Sequence, residues 1–318
     1  MMKKNNSLQP LKYFCITLLT CVFLIQCAAE KKDPFFKISL AQWSINKMIK
    51  SKKVSPYNFA KMASEWGFDG IEYVNQLYTD VTEAEDKEAA LDAFVKKSKV
   101  ESDKYGIRNV LIMIDHEGDL SATDSVARAE AVANHMGWVK AAAALGCHSV
   151  RVNLKGAEDA NEWIEASIAG LSELARQAAE YKINVIVENH GGHSSNPELL
   201  MQVINTINLP NCGTLPDFGN FCLDGGWGGI NSGCPNVYPI YKGVEEMLPR
   251  AFALSAKAYG FDADGNEANI DFVKMLQLAK NAGYTGYVGV EYEGEELSEP
   301  DGIQVTKELL IRAAQGIE

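Results

Sequence analysis

Three short segments carry the side chains best suited to chemistry. In Asn184-Val185-Ile186-Val187-Glu188-Asn189-His190 the alternation of an extended strand puts Glu188 and His190 on one side. Thr214-Leu215-Pro216-Asp217-Phe218-Gly219-Asn220 ends an apolar run in a carboxylate, and in Gly286-Tyr287-Val288-Gly289-Val290-Glu291-Tyr292-Glu293 the side chain of Glu291 shares its parity with Gly289. If the chain brings Glu188, Asp217 and Glu291 to one place, like-charge repulsion and desolvation cost several kcal/mol, and a divalent cation is the simplest compensation. One such residue alone would read as an ordinary strand-end ion pair. Three at three strand ends read as a site. Weaker candidates stand at other strand ends: Arg151 and Asn153 on one side of a strand, Glu72 and Asn75 after another, His116 after a third, and Lys257 in parity with Ser255. Trp43 and Trp227 could stack on an apolar ring face. His135, Trp138 and His148 fit packing or capping better than chemistry.

The elements that must position these residues follow a βα rhythm. Apolar or β-branched runs around 36–43, 69–74, 108–115, 148–153, 183–189, 213–218, 251–257 and 286–292 read as strands, with ends 29 to 41 residues apart. Helical patterns lie between them at 57–66, 87–105, 127–145, 161–181, 197–207, 270–282 and 305–314. Eight such units predict an α/β fold, a single (β/α)8 TIM barrel, whose catalytic groups project from the C-terminal strand ends. An open doubly wound sheet is the runner-up, but no G-x-G-x-x-G opens a helix. Residues 221–242, rich in Gly and long for a connection, predict a lid or substrate wall over the mouth.

The chain is acidic, with 42 Asp plus Glu against 30 Lys plus Arg and a net charge of −12. That excess argues against nucleic acid as a partner and for a small molecule. Lys3, Lys4 and Lys12 precede an apolar stretch from Tyr13 to Ile25, too short to span a bilayer and laid out like an export signal. Its end, Leu24-Ile25-Gln26-Cys27, resembles the lipobox of bacterial lipoproteins, in which the Cys is lipidated. The expected organisation is a signal peptide over 1–26, a tether over 27–35 and the barrel over 36–318. Loss of residues 1–26 removes three Lys and no acid, taking −12 to −15. The expected location is periplasmic or at the cell surface, held to a bacterial membrane by lipid alone. Cys222 and Cys234 flank the Gly-rich loop and would pair in an oxidising compartment or stay as thiols.

Taken together, Val187-Glu188-Asn189-His190-Gly191-Gly192, Pro216-Asp217-Phe218-Gly219-Asn220 and Gly289-Val290-Glu291-Tyr292 resemble the xylose-isomerase-like sugar isomerase/epimerase superfamily, over roughly residues 36–316. The closest likeness is to bacterial proteins described as sugar phosphate isomerase/epimerase. The resemblance implies that Glu188, Asp217 and Glu291 hold a divalent metal, Mn, Mg, Co or Zn. It also implies that a proton moves next to a sugar carbonyl, with Glu188 and Glu291 as carriers and Asp217 as a ligand. His190, Asn220, Lys257, Arg151, Asn153, Glu72 and His116 are then the substrate-binding candidates. Two positions depart from the pattern: Ser255 stands where a fourth ligand His is usual, and Asn220 where a second His is usual. A carbohydrate substrate is implied, and export favours a glycan-derived or oxidised sugar over a phosphorylated one. The alternatives are a keto-sugar lyase or glycoside-cleaving enzyme of the same superfamily, and a sugar-binding lipoprotein without catalysis.

Lipidation at Cys27 has a direct test. Cys27→Ser is expected to move the protein from the membrane to the soluble fraction, because an acyl anchor is what would hold an acidic barrel there. Unchanged partitioning on fractionation would remove the lipoprotein reading.

Overall fold

The computed structural model describes residues 33–224 and 226–317. Eight strands run parallel: β1 (Lys37–Ala41), β2 (Gly70–Val74), β3 (Arg108–Met113), β4 (Ser149–Val152), β5 (Asn184–Glu188), β6 (Cys212–Leu215), β7 (Ala253–Ala258) and β8 (Tyr287–Tyr292). They pair in the order β6-β5-β4-β3-β2-β1-β8-β7. Two bridges, Thr214 to Ala251 and Asp217 to Ser255, join β6 to β7, so the sheet nearly closes on itself. This is a TIM barrel, and each strand falls on a run predicted for it.

The pleat decides what faces inward. Ser255 pairs with Gly289 and Lys257 with Glu291 along β7 and β8, which sets these polar side chains side by side in the barrel mouth. The alternate residues Val288 and Val290 are fully buried. Tyr292 packs on the helix Glu299–Gln315, where a Cβ at Gly302 would come within 2.2 Å of its ring. Apolar alternation therefore both builds the barrel-to-helix core and fixes which carboxylates project inward.

The helices start where short polar residues satisfy free N–H groups. Asp86, Asp124, Asp159, Asn196, Asp271 and Ser298 each accept from a backbone N–H in the first turn. One helix, Ile240–Met247, departs from expectation, because residues 240–242 had been read as the end of a loop. The long connection after β6 is shorter than predicted by that much. It is stapled by a disulfide between Cys222 and Cys234. The loop rests on Gly191, whose φ is +90°, and a Cβ there would lie 2.2 Å from the Gly226 carbonyl oxygen. Cys147 and Cys212 are buried thiols.

No helix among the described residues is long and apolar enough to cross a membrane. The predicted signal peptide, Cys27 and most of the tether lie outside the described residues.

Candidate active site

Glu188 ends β5, Glu291 sits near the end of β8, and Asp217 follows β6, where its bridge to Ser255 holds it in the barrel wall. One carboxylate oxygen from each lies within 4.8 Å of the others, and all three residues are buried. Their neighbours are charged as well. Arg151, on β4, places Nε 2.8 Å from Glu188 Oε2 and NH1 2.7 Å from Asp115 Oδ1. The Asn220 amide donates to Glu188 Oε1 at 3.1 Å. Lys257 Nζ lies 2.8 Å from Glu293, 3.5 Å from Glu291 and 3.8 Å from Asp217. Ser255, where a His was expected by resemblance, donates its hydroxyl to Glu291 Oε2 at 2.9 Å.

Burial is the dominant electrostatic fact. It pushes the Glu188 carboxyl up, opposed by Arg151, and pushes Asp217 well above the usual carboxylate range, opposed by Lys257. Burial likewise raises Glu291 to about 7 against the pull of Lys257, with Glu188 adding repulsion. Asp115 goes the other way: burial would raise it, but the Arg151 guanidinium holds it well below the usual range. Five carboxylates, Asp115, Glu188, Asp217, Glu291 and Glu293, thus face two cations, Arg151 and Lys257. A divalent cation would offset most of that surplus.

The donor set fits such an ion. Asp217 Oδ2 is buried without a hydrogen-bond partner, with Lys257 Nζ no nearer than 3.8 Å, an arrangement that costs free energy unless a closer cation or a proton meets it. Oxygen donors from three carboxylates suit Mg or Mn, and Zn also accepts carboxylate oxygen.

A model of the xylose isomerase-like TIM barrel family matches residues 60–313. The chain belongs to that family. Among solved structures, it is similar to a sugar phosphate isomerase/epimerase from Parabacteroides distasonis, with a TM-score of 0.64 at 14% identity, covering 89% of this chain and 96% of that one. It is similar also to the IOLI protein with a bound zinc atom (TM-score 0.63, 16% identity, 89% and 99% covered). A D-tagatose 3-epimerase-like protein gives a TM-score of 0.63 at 17% identity, with 87% and 98% covered. At such identities the likeness is one of fold. A curated relative, the C-glycoside deglycosidase alpha subunit of Arthrobacter globiformis, is 34% identical over 65 residues, which span 20% of this chain and 18% of that protein.

In this family member the mouth is a cavity of about 620 Å3. Glu291, Glu293, Lys257, Arg151, His190 and Asn220 line it, with Trp43 on one side and Trp227 on the other. Glu188 and Asp217 do not line it; the Arg151, Asn220 and Lys257 that touch them do. His190 donates its Nδ1–H to Asn153 Oδ1 at 2.9 Å and sets its ring 5.0 Å from that of Trp227. Its imidazole is pushed down to about 3, first by burial and then by Arg151 and Lys257, so it is neutral at pH 7. Asn153 donates to Asp115 and faces a side cavity, shared with His116, beside Trp227. Asn75 exchanges hydrogen bonds with the Asp115 backbone and is structural.

One expected substrate contact is corrected. Glu72 is fully buried and absent from the cavity wall, because its side chain turns inward over Gly289 and accepts from Ser39 at 2.5 Å. Lys257 lies closer to Glu293 than to Glu291. Two residues that sequence reasoning passed over, Asp115 and Glu293, hold the two buried cations. Their only signal was an acid one or two positions beyond a strand end. His135, Trp138 and His148 are in packing or capping contacts, as expected: His135 with the Ala131 carbonyl, Trp138 with Glu117 and His148 with Ser149.

Burial lifts Glu72 to about 8 although the Ser39 hydroxyl pulls the other way, and Oε2 has no hydrogen-bond partner. A carboxyl raised on folding stabilises fully below its unfolded value and loses that contribution as pH rises through the folded one. The wild type should therefore lose on the order of a few kcal/mol between about pH 5 and 8 relative to Glu72→Gln, which keeps the acceptor for Ser39 and cannot ionise. Urea unfolding of both proteins across that range checks it, and parallel pH profiles would contradict it.

Proposed function

We propose that this protein is a sugar isomerase or epimerase that removes a proton from the carbon next to a carbonyl and returns it on another face or carbon. The observation that carries this reading is Glu291: it faces the cavity with its carboxyl raised to about 7, within 4.8 Å of two further buried carboxylates. A cation bound there would lower that value and keep Glu291 ionised, as a base that takes the proton must be. Ser255 fixes the orientation of Glu291, and Lys257 stabilises its ionised form. Glu188, just beneath the cavity wall and aligned by Arg151 and Asn220, which do line it, is the second proton carrier, while Asp217 serves as a ligand. A divalent cation held by Glu188, Asp217 and Glu291 would polarise the carbonyl and acidify the neighbouring C–H. Lys257, whose ammonium is kept charged by Asp217, Glu291 and Glu293 against the effect of burial, supplies positive charge where oxygen becomes negative. His190, Trp43 and Trp227 bind and orient the sugar. The likeness in fold to epimerase-like proteins supports this reaction class.

We assign an unphosphorylated, glycan-derived or oxidised sugar as substrate, consistent with export and with the acidic chain. Elimination of a substituent β to the carbonyl is a second reading, favoured by the short stretch of identity to a C-glycoside deglycosidase subunit. It uses the same first proton abstraction.

Turnover in heavy water is expected to place deuterium on the carbon next to the carbonyl. Glu291→Gln and Glu188→Gln should each lose at least about 10²-fold in kcat, the usual contribution of general acid–base help. Release of a sugar fragment with deuterium in the product would select elimination. Product formed without solvent deuterium, from a substrate shown to react, would overturn the two-carboxylate assignment.

A further inference from the structure

The segment after β1 carries four lysines in seven residues, Lys47, Lys50, Lys52 and Lys53, within an acidic chain. A short helix, Asn46–Lys50, closes in a tight turn in which the backbone N–H groups of Ser51, Lys52 and Lys53 return to Lys47, Ile49 and Met48. Lys52 sits at φ +59°, a conformation that a side-chain-bearing residue adopts only under constraint. The lysines are thus held by ordered backbone.

Among the described residues no carboxylate pairs with them within 4.0 Å, although Glu299 and Glu293 act on Lys50, and Lys47 on Glu293, from farther away. Lys61, Lys87, Lys97, Lys99, Lys242 and Lys257 are ion-paired. Other lysines, such as Lys37, Lys155 and Lys274, make no such pair among the described residues, and neither do these four; what sets the four apart is their clustering in one turn beside the mouth. Lys47 Nζ donates to the Gly294 carbonyl at 3.4 Å, and Lys50 Nζ donates to Asn46 and lies 4.0 Å over the Trp43 ring. The acids nearby are spent on other groups. Glu299 accepts from the backbone N–H groups of Lys47 and Met48, Glu293 meets Lys257, and Asp80 meets Lys97 and the Tyr57 hydroxyl.

Lys50, Lys52, Lys53 and Tyr57 line a groove of about 550 Å3 that shares Lys50 and Gln76 with the wall of the candidate active-site cavity. The two spaces adjoin at Lys50 and Gln76, with Trp43 on the cavity side. We propose that this groove is a second saccharide subsite that takes the carboxylate of a uronic acid unit attached to the sugar that reacts. An unpaired ammonium cluster next to a sugar-sized cavity recognises an anion through charge-assisted hydrogen bonds, and the Tyr57 ring offers apolar surface for a sugar face. The lysines follow the C-terminal end of β1, whereas the chain enters β1 from its other end. The substrate class so named rests on the sugar-processing reading above.

The test compares two disaccharides that differ only by a carboxylate in place of the hydroxymethyl group on the non-reducing ring, titrated calorimetrically into the purified protein. The acidic one is expected to bind about tenfold or more tightly, and its advantage should shrink as ionic strength rises from ~0.01 to ~0.15 M and screening shortens from about 30 to 8 Å. Lys52→Gln combined with Lys53→Gln should remove that advantage and leave binding of the neutral disaccharide unchanged. Equal binding of the two sugars by the wild type would overturn the subsite while leaving the sugar reading intact. Binding of neither would overturn both. A double variant that keeps the acidic preference, but loses affinity of the Cys27→Ser protein for phosphatidylglycerol vesicles, would assign the lysines to a membrane and overturn the proposal.

Discussion

Two buried cations, Arg151 and Lys257, hold five carboxylates at one end of the barrel, and the site depends on that ionic layer. Each cation bridges acids from neighbouring elements: Arg151 joins Asp115 to Glu188, and Lys257 joins Asp217, Glu291 and Glu293. Burial makes the arrangement demanding, because a charge left without its partner in this interior costs about 3–5 kcal/mol. It also makes the arrangement useful. The same low dielectric raises Glu291 toward neutrality and lets a fixed charge act strongly on a bound molecule.

The rest of the fold can be understood as support for that layer. Parallel register sets Ser255 beside Gly289 and Lys257 beside Glu291, so hydroxyl, ammonium and carboxylate meet without any loop needing to move. Glu72 and Ser39 fill the space over Gly289, where the missing side chain leaves room for a buried acid. On the solvent side the disulfide-stapled loop carries Trp227 to the mouth, beside His190 and His116. Trp227 stays 47% exposed there, so it is available to a ligand.

Strand ends were the most legible part of the chain. Alternation in Val185–Glu188 and Val288–Glu291 identifies both a strand and its inward face, so Glu188 and Glu291 could be placed without coordinates. Asp217 needs more: it lies beyond the regular strand, past Pro216, and the bridge to Ser255 together with the Asn189 side chain holds its backbone in the wall. Asp115 and Glu293 were passed over because they lie just beyond regular strand, where parity no longer predicts direction. Glu72 was misplaced for the opposite reason. Its parity is inward, but depth along the strand, which depends on the stagger between strands, puts it inside the barrel instead of in the mouth. The helix Ile240–Met247 was obscured by the Gly-rich composition that precedes it. Pairing of ammonium groups depends on distances that no spacing rule supplies, and so the lysine-rich turn gained meaning only once its partners could be counted.

In the function proposed above, Glu188, Asp217 and Glu291 gather around one divalent cation. Calorimetric titration of the chelator-stripped protein with Mn2+ tests it most directly, alongside Asp217→Asn, which keeps the shape and removes the charge. One equivalent should bind and raise the melting temperature, as expected for a ligand that binds only the folded state, and the variant should lose most of that response. A wild type that neither binds the ion nor gains thermal stability from it would contradict the claim.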